Sequence, residues 1–287
     1  VRESYLAIDL GAQRLAAGVV DSNGDVIIRD RVAAPSRHAW PVLAGMIGRV
    51  LAATPNDMMP SRCGVSCVGP IDARSGEIMP AHLPVWAGFA LQAQLAEEVG
   101  LPVAIRTSGQ GFALAEAWCG SAIGETDLLA ILMSDVVEAG VISGGRLTRG
   151  HRGNVGCIAH MVVEPEGKMC SCGVRGCVDA YVGLRAMEEE TNRTLERTPV
   201  ALIERAGIML GRAVASLSAI SDPSQILIGG RALYYFGQGF EIAVRREIAE
   251  RSRLGHLRRM KLTVLGPEAT SPLIRAAAIA RSFATHE

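Results

Sequence analysis

The strongest constraint on the fold is a strand pattern that occurs twice. At the N-terminus YLAIDLG, RLAAGVV and DSNGDVIIRDRV read as strands, the last carrying Asn23-Gly24, a dipeptide suited to a tight hairpin turn. The pattern returns in DLLAILMS, EAGVISGG and RLTRG, this time turning at Gly144-Gly145. Helical and strand segments follow each meander. A helical stretch over 40–53 precedes CGVSCVGPID, a buried strand ending in a Gly-Pro turn. LQAQLAEEVGLPVAI reads as a helix stopped by Gly100 and Pro102 and leading into another strand. In the second half, ALIERAGIMLGRAVASLSAIS is a long Ala-rich helix before the apolar strand QILIGG, and a last helix runs through SPLIRAAAIARSFA. Element order repeats while residue identity between the halves is weak. The pattern predicts a duplicated two-domain α/β architecture with a cleft between the halves.

Composition narrows the function classes. With 287 residues, 49% hydrophobic and 20% charged, the chain can bury a sizeable core. A formal net charge of +0 gives no global attraction to nucleic acid or anionic membrane, and 4% aromatic residues supply no set of base-stacking platforms. The basic stretch RSRLGHLRRMK, residues 251–261, reads as a solvated helix face and turn. No apolar run approaches the roughly 20 residues of a membrane span and no signal-peptide core stands at the start, so a cytoplasmic location without membrane partners is expected.

Seven cysteines do not form a disulfide framework. Cys63 and Cys67 share one extended segment and stand roughly 13 Å apart, too far to bridge. Three others have a different spacing. In HMVVEPEGKMCSCGVRGCVDAYVG, His160, Cys170, Cys172 and Cys177 present three thiols and an imidazole, the ligands of a closed tetrahedral zinc site. A catalytic zinc keeps a position open for water. All four positions would be filled by protein here, so the expected zinc is structural.

These residues, set in GNVGCIAHM and CSCGVRGCVDAY, resemble the signature of the ROK family (repressors, open reading frames, kinases). VGPIDARSGEIMPAHLPVW, ALAEAWCGSA and DPSQILIGG extend the resemblance over nearly the whole chain. It implies the two-domain, actin-like (ribonuclease H-like) ATPase and sugar-kinase fold with a zinc knuckle. The expected domains are 1–106, completed by a C-terminal helix over 271–287, and 107–270, which carries the zinc site.

The resemblance also marks departures. Kinases of the family take the sugar proton with the Asp of an Asn-Asp pair; Thr107 and Ser108 stand at the matching positions. A lone serine is a poor base, and a lost base costs about 10²–10⁴ in rate, so no catalytic residue is expected. The first phosphate loop, normally Asp-x-Gly-Gly-Thr-Lys, reads Asp9-Leu10-Gly11-Ala12-Gln13-Arg14. The second, normally glycine-rich, reads SDVVEAG, with Ser134 at its head and Asp135 and Glu138 adding negative charge. A like-charge pair about 4 Å apart costs about 4 kcal/mol at an effective dielectric near 20. The third ends Gly229-Gly230-Arg231. ATP–Mg²⁺ is therefore not expected to bind.

The family's sugar-contacting positions correspond to His82, Thr107, Ser108, Cys157, His160 and Asp179, of which His160 alone is identical. The resemblance thus implies a non-catalytic, sugar- or small-ligand-sensing domain of transcriptional-regulator type, as a homodimer or tetramer. DNA would be a partner only if a helix-turn-helix precedes Val1, where the chain begins without methionine. The alternative is an ATP-dependent sugar kinase acting on a hexose or amino sugar with a rearranged site, its substitute base drawn from Asp135, Glu138 and Asp179.

Overall fold

The computed structural model describes residues 2–72, 74–78, 84–267 and 269–283, which fall into two compact units. The first comprises Val1–Ile123, Arg149–Val155 and Thr270–Glu287. Its strands β1 (Ser4–Leu10), β2 (Arg14–Asp21) and β3 (Val26–Ala33) form the antiparallel meander, and β4 (Arg62–Cys67) and β7 (Val103–Thr107) join β1 in parallel, giving the order β3-β2-β1-β4-β7. A small ribbon of β5 (Ile71–Asp72) and β6 (Glu77–Ile78) follows β4.

β1 is buried along its whole length because the sheet is covered on both faces. Leu6, Ile8 and Leu10 pack with Leu43 and Ile47 of α1 (Ala39–Ala53) and Leu91 and Leu95 of α2 (Leu91–Val99). Tyr5 and Ala7 point the other way, against Leu273, Ala276, Ala277 and Ala280 of α8 (Pro272–Ser282). Ser271 caps α8 by accepting from the Ile274 amide, and Pro272 fills the first turn, where an amide would be unpaired. Helix α3 (Ser108–Cys119) leaves the end of β7 and packs along α8, with Gly111 against Arg275 and Ile279. Residues 107–123, placed by the sequence in the second domain, therefore lie in the first unit.

The second unit comprises Gly124–Thr148 and Gly156–Ala269. Strands β8 (Leu128–Met133), β9 (Val137–Ser143) and β10 (Arg146–Leu147) form its meander, and β11 (Gln225–Gly229) and β12 (Lys261–Val264) extend it in parallel. The order β10-β9-β8-β11-β12 repeats the first sheet position for position. Gly144 and Gly145, both at positive φ, make the turn into β10 that side-chain-bearing residues resist.

Helices α6 (Val200–Ser221) and α7 (Leu233–Arg251) cover this sheet through Leu210, Ala213, Val214, Phe236, Phe240 and Val244. The short α4 (Asp179–Val182) and α5 (Leu184–Thr191) follow the cysteine-rich loop. The basic stretch is not a helix face: α7 ends at Arg251, a single 3₁₀ turn spans Leu257–Arg259, and β12 begins at Lys261. Among the described residues no helix is long and apolar enough to cross a membrane.

Candidate functional site

In the first unit the parallel register of β1 and β4 sets Asp9 directly beside Ser66. Ser66 Oγ donates to the Oγ of Ser108, the first residue of α3, at 3.2 Å. Arg275 of α8 approaches Asp9 from the other side, 3.6 Å from Nη2 to Oδ1. Burial pushes the Asp9 carboxyl up, against the opposing pull of Arg275 and the Ser66 hydroxyl. Asp9, Ser66 and Ser108, from three elements, thus lie together in one buried cluster.

Thr107 has a local task. Its side chain caps α3, accepting from the Gln110 amide at 3.3 Å. Gln110 Nε2 in turn donates to the carbonyls of Gly153 and Val155 at 3.0 and 2.9 Å, fixing the 149–155 loop over the start of α3. Asn154 clamps the same loop to β5 by accepting from the Ile71 amide at 2.8 Å and donating to its carbonyl at 2.6 Å. Arg106, just before Thr107, is pushed down to about 10 by burial and by the neighbouring Arg149. Gly11 donates to the Arg14 carbonyl at 3.0 Å, so the turn between β1 and β2 is a tight hairpin with the Arg14 side chain exposed at its exit.

In the second unit the loop after β8 and the turn after β11 meet. Gly230, at φ 114°, stands where an added Cβ would lie 2.3 Å from the Met133 carbonyl oxygen, so the turn after β11 is closed against the end of β8 and admits only glycine. That turn delivers Arg231 into an ion pair with Asp135, in the loop after β8. Asp135 also receives order from Ser134, whose Oγ accepts from the Asp135 amide at 2.7 Å. Glu138 is not in that loop; it is buried on β9. Together with Asp179 it acts on Cys157, whose thiol is pushed up first by the loss of solvent around it, then by Glu138 and Asp179.

His160, Cys170, Cys172 and Cys177 come together as one cluster, their ligand atoms all within 4.8 Å of one another. A tetrahedral ion with bonds of about 2.3 Å to sulfur and about 2.05 Å to nitrogen requires edges of about 3.8 Å (S···S) and about 3.6 Å (S···N). Cys172 Sγ lies 3.7 Å from Cys177 Sγ, and Cys170 Sγ lies 3.6 Å from His160 Nδ1. Two edges of the cluster thus match those of a tetrahedral site, and the four side chains could hold a metal ion.

A family model described as "ROK family" matches residues 5–251. The chain belongs to the ROK family. Over 265 residues it is 29% identical to an N-acetylmannosamine kinase of Citrobacter koseri, covering 86% of this chain and 89% of the relative. A glucokinase of Thermotoga maritima is 25% identical over 259 residues, 78% of this chain and 81% of the relative. Among solved structures, a ROK hexokinase from Thermus thermophilus superposes with a TM-score of 0.86 at 27% identity, covering 99% of this chain and 100% of that one. The α/β sheets described above fit the actin-like sugar-kinase fold of these ROK proteins.

These relatives overturn the expectation of a non-catalytic regulator, because both are named as sugar kinases and the superposed structure as a hexokinase. The structure supplies a physical reason. The charge argument counted Asp135 as uncompensated, whereas Arg231, following Gly229-Gly230, pairs with it.

Of the positions matched to the family's sugar contacts, His82 lies outside the described residues. Thr107 and Ser108 sit together in the first unit, and Cys157, His160 and Asp179 in the second. Two participants were not singled out by sequence reasoning. Ser66 carried a weak signal, being a lone polar residue in the buried run CGVSC; Arg275 carried none, since its partner is 266 positions away.

Proposed function

We propose that this chain is an ATP-dependent sugar kinase of the ROK family, acting on a hexose or an amino sugar with a rearranged site. The observation that carries the reading is its similarity, along most of both chains, to a protein named as an N-acetylmannosamine kinase. The loops after β8 and β11 support it: Gly230 keeps the backbone turn, and the Arg231–Asp135 ion pair removes the uncompensated negative charge that would repel a nucleotide's phosphates. Ser108, at the start of α3, holds the position that the family gives to the proton acceptor. Titration calorimetry with ATP–Mg²⁺ tests the nucleotide half of the proposal: heat of binding at micromolar to millimolar nucleotide is expected, and its absence contradicts it.

The cluster of His160, Cys170, Cys172 and Cys177 fits a zinc ion by ligand type and in two of its edges. Bound there, zinc would supply a closed structural cross-link, with no open position for water. Burial pushes the Cys177 thiol up, so a thiolate at that position needs a cation beside it. The loop is also tied from outside, as Arg212 of α6 reaches Glu164 at 2.5 Å and Glu247 of α7 at 3.2 Å.

A further inference from the structure

The basic stretch 251–261 has no part in the kinase reading, and the fold wraps it around a cavity. α7 and its C-cap present Arg245, Ile248 and Ser252 on one face, at the three- and four-residue spacing of a helix. The helix ends where the Ser252 amide donates to the Ile248 carbonyl at 2.8 Å. The chain then turns back through Leu257–Arg259, held by the Arg258 amide on the Leu254 carbonyl at 3.1 Å, and enters β12 at Lys261. Ile226 of β11 and Leu262 of β12 are register partners and so point to the same side of the sheet. These elements enclose about 400 Å³, a volume within the range of small-molecule sites.

We infer that this cavity binds a small organic anion carrying a short hydrocarbon tail. The site stands or falls independently of the kinase reading.

Charge is the first support. Arg245, Arg253 and Arg258 line the cavity, and among the described residues no acid does. Arg245 is already committed, pairing with Glu241 at 2.8 Å and donating to the Leu262 carbonyl at 3.2 Å, so it frames the site. Arg253 uses only its Nε, on the Glu250 carbonyl at 3.0 Å. Among the described residues neither Arg253 nor Arg258 has an ion pair, which leaves two guanidinium forks open to an anion's oxygens.

Ser252 points to a ligand independently. It lines the cavity at 3% exposure, and its hydroxyl has no hydrogen-bond partner. Buried hydroxyls are ordinarily paired. Ser216, Ser218 and Ser221 of α6 each donate to the carbonyl four residues back, whereas Ser252 does not. An anion held by Arg253 would supply the acceptor that the Ser252 hydroxyl lacks. The rest of the wall is aliphatic, through Ile226, Ile248, Leu257 and Leu262. Such a wall offers an inorganic anion nothing, and gives a hydrocarbon tail a surface against which to leave water.

The test is titration calorimetry of the full chain with octanoate, inorganic phosphate and 1-octanol, run at about 15 and about 35 °C because burial of apolar surface makes the heat change with temperature. Octanoate should bind with a Kd of about 0.1 mM, and phosphate and octanol, which each lack one half of the ligand, about tenfold more weakly or worse. Replacing both open guanidiniums, Arg253→Ala with Arg258→Ala, should weaken octanoate about tenfold, as should Ser252→Ala. Both arginines are exposed, so the double variant should melt with the parent and its lost affinity reports the site. No octanoate heat at either temperature, or parent-like affinity in the double variant, overturns the site. Phosphate or octanol binding as tightly as octanoate overturns the ligand class. If Ser252→Ala does not fold, the double variant decides.

Discussion

Gly64→Ala tests the packing on which the placement of Asp9 beside Ser66 depends. Gly64 lies on β4 between Ala7 of β1 and Ala104 of β7, a row of small residues beneath α8. A Cβ at Gly64 would stand 2.0 Å from the Ala276 carbonyl oxygen and 2.6 Å from the Ala280 nitrogen. Both obstacles are helix backbone, so no side-chain rotation relieves the overlap. Restoring ordinary contact at 3.4 Å moves α8 outward by about 1.4 Å at this point. Overpacking costs about 1–3 kcal/mol, and a rigid receiving surface puts this case near the top, about 3 kcal/mol. For a chain of this size that lowers Tm by about 6–12 °C. Gly48→Ala is the control: Gly48 is exposed on α1, nothing lies within 4 Å of its added Cβ, and the change should stabilise by about 0.5–1 kcal/mol. Calorimetric melting of both variants beside the parent decides. A Gly64→Ala protein melting within 2 °C of the parent would refute the reasoning.

Other expectations follow from single contacts. Glu190 is held down at about 2 by Arg205 and, secondarily, Lys168, from an ordinary value of 4.5. Its contribution is therefore present above pH 4.5 and lost as pH falls toward 2; after solvent screening it amounts to about 1–2 kcal/mol. Denaturant titrations of Glu190→Gln and parent should differ by that much at pH 7 and converge near pH 2. Metal analysis should find one zinc per chain, and chelation or Cys172→Ser should lower Tm; a metal-free protein of unchanged Tm contradicts the zinc. Arg231→Ala leaves Asp135 uncompensated and should raise KM for ATP about tenfold, or about 1.4 kcal/mol. Asp135→Asn should leave it equal or lower, and steady-state kinetics with varied nucleotide separates the two.

Features set by neighbours in sequence could be read before the fold. The hairpin turns at Gly24 and Gly144-Gly145, the stop of α2 at Gly100, the Ala-rich α6 and the cysteine cluster all lie where their residue types require. α7 was hidden because Gly237 breaks the helix phase at φ 61°, so its apolar residues keep no single period. The candidate site depended on distant pairs. Ser66 and Ser108 are 42 positions apart, and Arg231 and Asp135 are 96. Judged one position at a time, Ser108 is a lost base and Asp135 an added charge. Beside their partners, Ser108 accepts from the buried Ser66 hydroxyl and Asp135 is paired with Arg231.

The central claim is phosphoryl transfer to a sugar. The most direct measurement incubates the zinc-loaded protein with ATP–Mg²⁺ and, in turn, glucose, mannose, N-acetylglucosamine and N-acetylmannosamine, following ADP release and the ³¹P NMR spectrum. ADP formed in step with a sugar-phosphate resonance for at least one of them is the predicted result. A spectrum unchanged for every sugar, from protein that is folded and metal-loaded, would contradict it.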